Sequence, residues 1–399
     1  MKKIILFLLC VINCLNANLK HEDEFEKIKK CDTDWLIVGA GPAGIATIGV
    51  LLDLGTLPKR ITWVDPEFNV GKLSNYKNVD ANTKNKFFVR FLESCKTFAA
   101  MVPDSIEKLK MLNPEQEYLL SSIVEPLEKI TNALMNKVNV IQGKMDSLYF
   151  ENDLWNVGVN EKNITADHVV LATGSYAKRL EYNEYKDKEI KFDDAIDKEI
   201  LKTIVKKDDV VAVIGSAHSA ILLLKYLTEA GVQKIYNFYT KAICYPTDMG
   251  GWVLYDQIGL TGVAAYWAKN VLEKGRAPHI ERIYSNKENL DKILPICTKI
   301  IYAIGFERNK LPLIQQNPNL EYNQKNGVIG KRLFGIGIAF PEIKVCPEGT
   351  VEYRIGLPSF LDYAQRVVPT WVKKNNILGY EKQRELLKTF AELFTIEIL

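Results

Sequence analysis

Trp35-Leu36-Ile37-Val38-Gly39-Ala40-Gly41-Pro42-Ala43-Gly44 carries an apolar strand straight into a Gly-x-Gly-x-x-Gly turn. Such a turn brings backbone N–H groups and a helix N-terminus up to a pyrophosphate. Gly39 permits the tight turn, Gly41 admits the phosphate where a Cβ would collide, and Gly44 lets the next helix press on its strand. That helix reads from Ile45 to Leu52 and closes near Gly55. The strand Ile61-Thr62-Trp63-Val64 then ends at Asp65. This acid lies close to the ~20 residues past the last glycine where a carboxylate meets ribose hydroxyls. The glycine pattern alone is weak evidence, but strand, turn, helix, strand and terminal acid in order are strong evidence. Gly39, Gly41, Pro42, Ala43, Gly44 and Asp65 are therefore candidate cofactor-binding residues.

The chain has 399 residues, enough for two or three domains with substantial cores. With 47% hydrophobic and 25% charged residues, it has the composition of an ordinary globular protein. The net charge of +3 is spread out, and no run of like charges points to nucleic acid. At the N-terminus, Met1-Lys2-Lys3 precedes the apolar stretch Ile4–Ile12 and a small residue, Ala17. Basic start, short apolar core and small cleavage residue give residues 1–17 the layout of a secretory signal. Export or envelope association is the expectation, with a cytoplasmic protein bearing a loosely attached N-terminus as the alternative. The stretch is too short for a bilayer, which takes ~20 residues, and no transmembrane segment is expected elsewhere.

Seven cysteines are present; Cys10 and Cys14 would leave with a cleaved signal. Cys31, Cys95, Cys244, Cys297 and Cys346 are scattered and odd in number, so they suggest no disulfide framework. No C-x-x-C or C-x-x-x-x-C pair exists, which excludes a redox-active dithiol and metal sites built on paired cysteines. The four histidines are unclustered, so no metal site is expected.

Residues 18–31 are charged and read as a connector, and the stretch from Lys84 to Lys137 is helical in character. Strand-like pieces at Val138–Ile141, Ser147–Phe150 and Leu154–Val159 suggest a small antiparallel ribbon. His168 to Leu171 forms another strand, ending in Ala172-Thr173-Gly174. A second nucleotide signature follows: Val210–Ile214 enters Gly215-Ser216-Ala217-His218-Ser219-Ala220, then a helix to Leu227 and a strand from Lys234 to Tyr239. Gly215, Ser216, His218 and Ser219 are the candidate contacts there. Ala217 replaces the middle glycine and costs some close approach to phosphate; Ala220 replaces the last. No acid ends this second strand. Instead Thr240 and Lys241 could meet a 2′-phosphate, favouring NADP over NAD, unless Lys241 is simply a solvated surface lysine. Residues 244–262 are glycine-punctuated, and read either as a mobile flap or as a connecting loop with a buried Trp252. Ile300 to Gly305 and Leu333 to Gly337 repeat the strand-then-glycine pattern. They must complete sheets begun earlier, so one nucleotide domain is inserted into another.

This pattern resembles the flavoproteins with two dinucleotide-binding domains, the group holding the pyridine nucleotide-disulfide oxidoreductases and the flavin-dependent monooxygenases. The resemblance runs from Asp32 to about Trp371 and rests on four segments: Gly39–Gly44, Ala172-Thr173-Gly174, Gly215–Ala220 and Ala303-Ile304-Gly305-Phe306. It implies an α/β fold of two Rossmann-like, three-layer domains, with the NAD(P) domain inserted into the FAD domain. FAD would occupy the first loop, with Asp65 on its adenosine ribose, and NAD(P)H the second. Thr173-Gly174 and Gly305 would lie at the crossings between domains, and Gly337 near the flavin ribityl chain. The expected boundaries are 32–200 with 300–375 for FAD, 205–299 for NAD(P), and a helical tail at 376–399. Asn75 to Thr83 looks more like the monooxygenases, where a tyrosine-containing segment leads to an Asn-Thr or Asn-Ser beside the isoalloxazine. Asn82 is thus the candidate catalytic residue, unless it only caps the helix starting near Lys84.

The chain departs from the monooxygenase pattern in three places. Phe68-Asn69-Val70-Gly71-Lys72 stands where Gly-Gly-x-Trp is usual, the Phe-x-Gly and His fingerprint before the second loop is missing, and Gly337-Ile338 replaces Gly-Asp. The expected activity is an FAD-dependent oxidoreductase that takes hydride from NAD(P)H and acts on a small molecule. Its electrons would pass to oxygen or an organic acceptor in a monooxygenase-like way. The alternatives are an oxidase or reductase that oxygenates nothing, and a non-catalytic nucleotide-binding protein.

Overall fold

A computed structural model describes residues 31–180, 182–255, 259–312, 314–315 and 320–373. The signal-like segment 1–17, nearly all of the connector 18–31 and the tail 376–399 lie outside these residues.

Thr33–Val38 is buried almost throughout, as suits a central strand covered on both faces. It pairs in parallel with Ile61–Asp65 on one side and with Lys162–Leu171 on the other. Asn139–Gln142 extends the sheet beyond Ile61–Asp65, and Leu333–Gly335 extends it beyond Val169–Leu171. The result is a five-stranded parallel sheet whose last strand arrives from far along the chain. Residues 138–141 thus join this sheet and not the antiparallel ribbon, because the helix Ser121–Met135 carries the chain over in a βαβ crossover. The ribbon is Met145–Glu151, Leu154–Val159 and the first half of Lys162–Leu171. Its turns are Asn152-Asp153 and Asn160-Glu161, all four at positive φ, the tight primed turns that match strand twist. Separate apolar clusters pack the two faces of the sheet, giving three layers.

The second sheet is parallel throughout, in the order Ile280–Tyr284, Lys234–Tyr239, Val210–Ile214, Lys299–Tyr302. It too has an apolar cluster on each face. The chain leaves the first sheet after Leu171 through the strand Ser175–Ala177 and returns through Phe306–Arg308. These two crossings pair antiparallel, so one domain is inserted into the other through a two-stranded ribbon.

The expected boundaries shift at both ends. Lys299–Tyr302 hydrogen-bonds Val211–Ile214, so residues 300–302 belong to the inserted domain. Ile190, Ala195, Ile196 and Leu201 pack into the inserted domain's core, so it begins before 205. The stretch 244–262 contains a short hairpin, Thr247–Asp248 with Val253–Leu254, and Trp252 is only half-buried. Its Tyr255 N–H donates to the buried Glu352 carboxylate at 2.9 Å, on the first domain's hairpin Glu342–Val345 with Val351–Arg354.

Candidate functional site

Three interactions fix the first glycine loop. Gly39 N–H donates to Val64 O at 2.8 Å, Trp63 Nε1–H donates to Gly39 O at 3.0 Å, and Ala40 N–H donates to Asp65 Oδ2 at 2.7 Å. Gly39 sits at φ +112°, and a Cβ there would lie 2.2 Å from Ala172 O. A Cβ on Gly44 would lie 2.0 Å from Gly39 O, which is the close helix–strand packing read from the sequence. At Gly41 a Cβ would meet no protein atom within 4 Å. The space over Gly41 is therefore open, and Gly41 caps the helix Pro42–Asp53 with no side-chain acceptor for its first N–H groups.

Asp65 is buried and does more structural work than the sequence suggests. Its Oδ1 accepts from Glu67 N–H and Phe68 N–H, both at 2.8 Å, while Oδ2 takes only Ala40 N–H. One acceptor position on Oδ2 is left over. Two further glycines border the loop. Gly71 lies against Gly41, with a built Cβ 3.1 Å from Gly41 Cα, and Gly337, at φ +86°, lies against Ala43. At the crossing, Asn309 holds the Thr173-Gly174 turn: its Nδ2 donates to Thr173 O and its N–H donates to Gly174 O. The Thr173 hydroxyl itself is buried and has no hydrogen-bond partner, which sets it apart from the great majority of buried side-chain polar atoms.

The second loop repeats the first. Gly215, at φ +128°, would place a Cβ 2.2 Å from Ala303 O, matching Gly39 and Ala172. Its N–H donates to Phe238 O, and its carbonyl accepts from Asn237 Nδ2 at 2.8 Å, the part that Trp63 plays in the first loop. Asn237 is fully buried, and Arg282 Nε donates to its Oδ1 at 3.1 Å. A polar residue in the middle of the apolar strand Lys-Ile-Tyr-Asn-Phe-Tyr was the available signal for this support. Ser216 Oγ donates to Lys241 O, which brings the predicted lysine beside the loop with its side chain exposed. Ala217 has the same extended backbone as Gly41, so its methyl stands where the first loop is open.

His218 begins the helix His218–Glu229, and its Nε2 accepts from Thr261 N–H at 2.8 Å. Burial pushes its pKa down to about 4, so the ring is neutral and brings no charge to the helix end. Thr261 Oγ1 in turn donates to Asn82 O at 3.2 Å. A Cβ on Gly262 would lie 3.0 Å from Asn82 Cα, so only glycine allows this approach. The cap of the helix Asn85–Glu93 is Lys84, which removes the capping role considered for Asn82. Asn82 is exposed, on the seam between the two domains, where its carbonyl meets Thr261 of the inserted one. The structure thus groups Gly39–Gly44, Asp65, Thr173 and Gly337 in one place, and Gly215–Ser219, Lys241 and Asn82 in the other. Gly305, at φ +94°, lies at the crossing, where its carbonyl accepts from Lys178 N–H.

Residues 33–331 match the family model described as pyridine nucleotide-disulphide oxidoreductase. The chain belongs to this family. Within it, a curated relative, "Monooxygenase AgnR1" of Paecilomyces divaricatus, is 30% identical, the match covering 84% of this chain and 97% of the relative. Solved structures show the same fold at low identity. Bacillithiol disulfide reductase of Staphylococcus aureus matches with TM-score 0.58 and 11% identity, covering 86% of this chain and 99% of that one. The L-lysine 6-monooxygenase of Pseudomonas syringae gives TM-score 0.57 and 12% identity over 86% and 99%. Kutzneria ornithine N-hydroxylase, solved with reduced FAD, NADP+ and L-ornithine, gives 0.58 and 10% over 86% and 99%.

The described cysteines offer no paired thiol of the kind that the family's name suggests. Cys31, Cys95, Cys244, Cys297 and Cys346 are all free, and burial pushes Cys95 and Cys297 up to about 12 and about 11. Neither forms a reactive thiolate at neutral pH. Among the described residues no group of histidine, cysteine and acidic side chains could hold a metal, and no helix is long and apolar enough to cross a membrane.

Proposed function

We propose that the protein is an FAD-dependent oxidoreductase of monooxygenase type. It takes hydride from NAD(P)H, with NADPH favoured, and passes electrons to oxygen or an organic acceptor in turning over a small molecule. The observation that carries this reading is the pair of loops built to one plan, Gly39 on Ala172 and Gly215 on Ala303, in two domains that meet at a seam holding Asn82. The monooxygenase relative supports it.

The residues present fit FAD. The free N–H groups at the start of Pro42–Asp53 and the open space over Gly41 suit a pyrophosphate, and the remaining acceptor position of Asp65 suits a ribose hydroxyl. Thr173 Oγ1, at the crossing beside this loop, is one of the buried polar atoms that lack a partner. When bound, FAD would supply the two-electron chemistry. The chain supplies placement and electrostatics. Gly215, Ser216 and Ser219 would hold the nicotinamide dinucleotide, and neutral His218 fixes Thr261 against Asn82 without adding charge. Lys241, brought beside the loop by the Ser216 hydrogen bond to its carbonyl, would meet the 2′-phosphate. The Asn82 amide is a neutral donor at the seam, suited to steadying developing negative charge.

The test starts with the colour of the purified protein. A yellow protein, or one that takes up FAD, is expected; a colourless protein that cannot be reconstituted overturns the reading. NADPH consumption with a substrate should then exceed hydrogen peroxide release. Equal amounts with every candidate substrate would make the protein an oxidase. For residues 1–17 we propose export or envelope association, which N-terminal sequencing of the native protein checks: an intact Met1 would contradict cleavage.

A further inference from the structure

Residues 76–82 belong to the first domain by their backbone. Ser121 N–H donates to Lys77 O, Leu120 N–H to Val79 O, and Ala81 N–H to Tyr118 O, while the Lys77 ammonium pairs with Glu128. The even-numbered residues reach into the other domain. Tyr76 Oη donates to Asp193 at 2.7 Å, and Asn78 Nδ2 donates to Asp197 at 2.9 Å. Tyr226 Oη accepts from Asp80 N–H at 3.0 Å and donates back to the Asp80 carboxylate at 3.2 Å. Thr261 Oγ1 completes the series on Asn82 O. Between them Val79 is buried in the inserted domain's core.

The inserted domain's partners are themselves held. Asp193 also takes the Lys72 ammonium, and Asp197 caps the helix Lys198–Ile204 through two backbone N–H groups. Tyr226 is 1% exposed, and Lys225 and Lys198 flank Asp80. Hydrogen bonds to charged groups are among the stronger ones, and leaving such groups unpaired in a packed seam costs more than the bond returns. A rotation about the crossing ribbon would break all of these contacts together.

We infer that Tyr76–Asn82 is an interdomain clamp that keeps the two nucleotide-binding domains in one orientation throughout turnover, with Asp80 and Tyr226 as its positioning residues. This deepens the proposed function and rests on it: NAD(P)H held at the second loop would reach FAD held at the first without a swing of the domains. The helix His218–Glu229 carries both His218, at the loop, and Tyr226, at the clamp. The clamp thus fixes the end of the helix that meets the nicotinamide dinucleotide relative to Asn82.

Two measurements on the full chain test it. Small-angle X-ray scattering of the cofactor-free protein should give the same profile with and without NADP+, and Asp80→Ala should alter it. A wild-type profile that changes on adding NADP+ overturns the clamp. The second measurement uses Asn78→Cys with Asp197→Cys in a Cys31→Ser, Cys244→Ser background. Oxidation should cross-link the domains, and anaerobic flavin reduction by NADPH should stay within about threefold of the uncross-linked rate. Reduction abolished by the cross-link and restored by a thiol reductant overturns the clamp. For Tyr226→Phe, slower reduction at unchanged FAD affinity supports a positioning role, and an unchanged rate contradicts it. If NADPH never reduces the wild-type protein, the functional reading has failed, while the scattering result still decides the clamp.

Discussion

Gly41 and Gly44 have the same residue type for opposite reasons. A methyl on Gly41 touches no protein atom, while one on Gly44 would be driven to 2.0 Å from Gly39 O. Gly41→Ala should therefore keep the melting temperature of the cofactor-free protein and weaken FAD binding about tenfold or more. Gly44→Ala should destabilise the cofactor-free protein itself, by about 1–3 kcal/mol. Thermal unfolding and FAD titration of both variants check this, and a Gly41→Ala protein that binds FAD normally would contradict the placement. His218 yields a pH prediction. Its folded pKa of about 4 lies below the ordinary 6.5, so the unfolded chain takes up the proton first. The stabilising contribution is complete above pH 6.5 and is lost as the pH falls towards about 4. The loss is at most about 1.4 kcal/mol per pH unit. Melting curves across that window should show a steeper decline for the wild type than for His218→Gln.

At the scale of elements, both glycine loops were legible because strand, turn and helix are contiguous in sequence and each glycine answers a local steric demand. Asp65 was found by its spacing, but its three backbone donors were not, since they depend on how the chain turns after the strand. The strand Lys299–Tyr302 shows in the sequence, but the sheet that it joins, that of Val211–Ile214, does not. An apolar strand of four residues carries no mark of which sheet it joins. The contacts of Tyr76, Asn78 and Asp80 were hidden for a different reason: their partners lie 117, 119 and 146 residues away. The loop beside Lys241 carries the cofactor prediction at this scale. Lys241→Ala should raise KM for NADPH about tenfold and leave KM for NADH unchanged. Equal changes for both would make the lysine a surface residue.

For the whole molecule, the insertion through paired crossings puts two like-built loops on either side of one seam, and the fold class was readable because the chain states the motif twice. With Cys95 and Cys297 buried and no paired thiol among the described residues, Cys31→Ser with Cys244→Ser should leave NADPH-driven turnover unchanged. Loss of turnover in that variant would point to thiol chemistry. The central claim is that one chain brings NADPH and FAD together. An anaerobic titration of the FAD-loaded protein with NADPH tests it most directly: bleaching of the flavin, complete at one equivalent of NADPH per bound FAD, is the predicted result, and a flavin that stays oxidised in excess NADPH and NADH would contradict it.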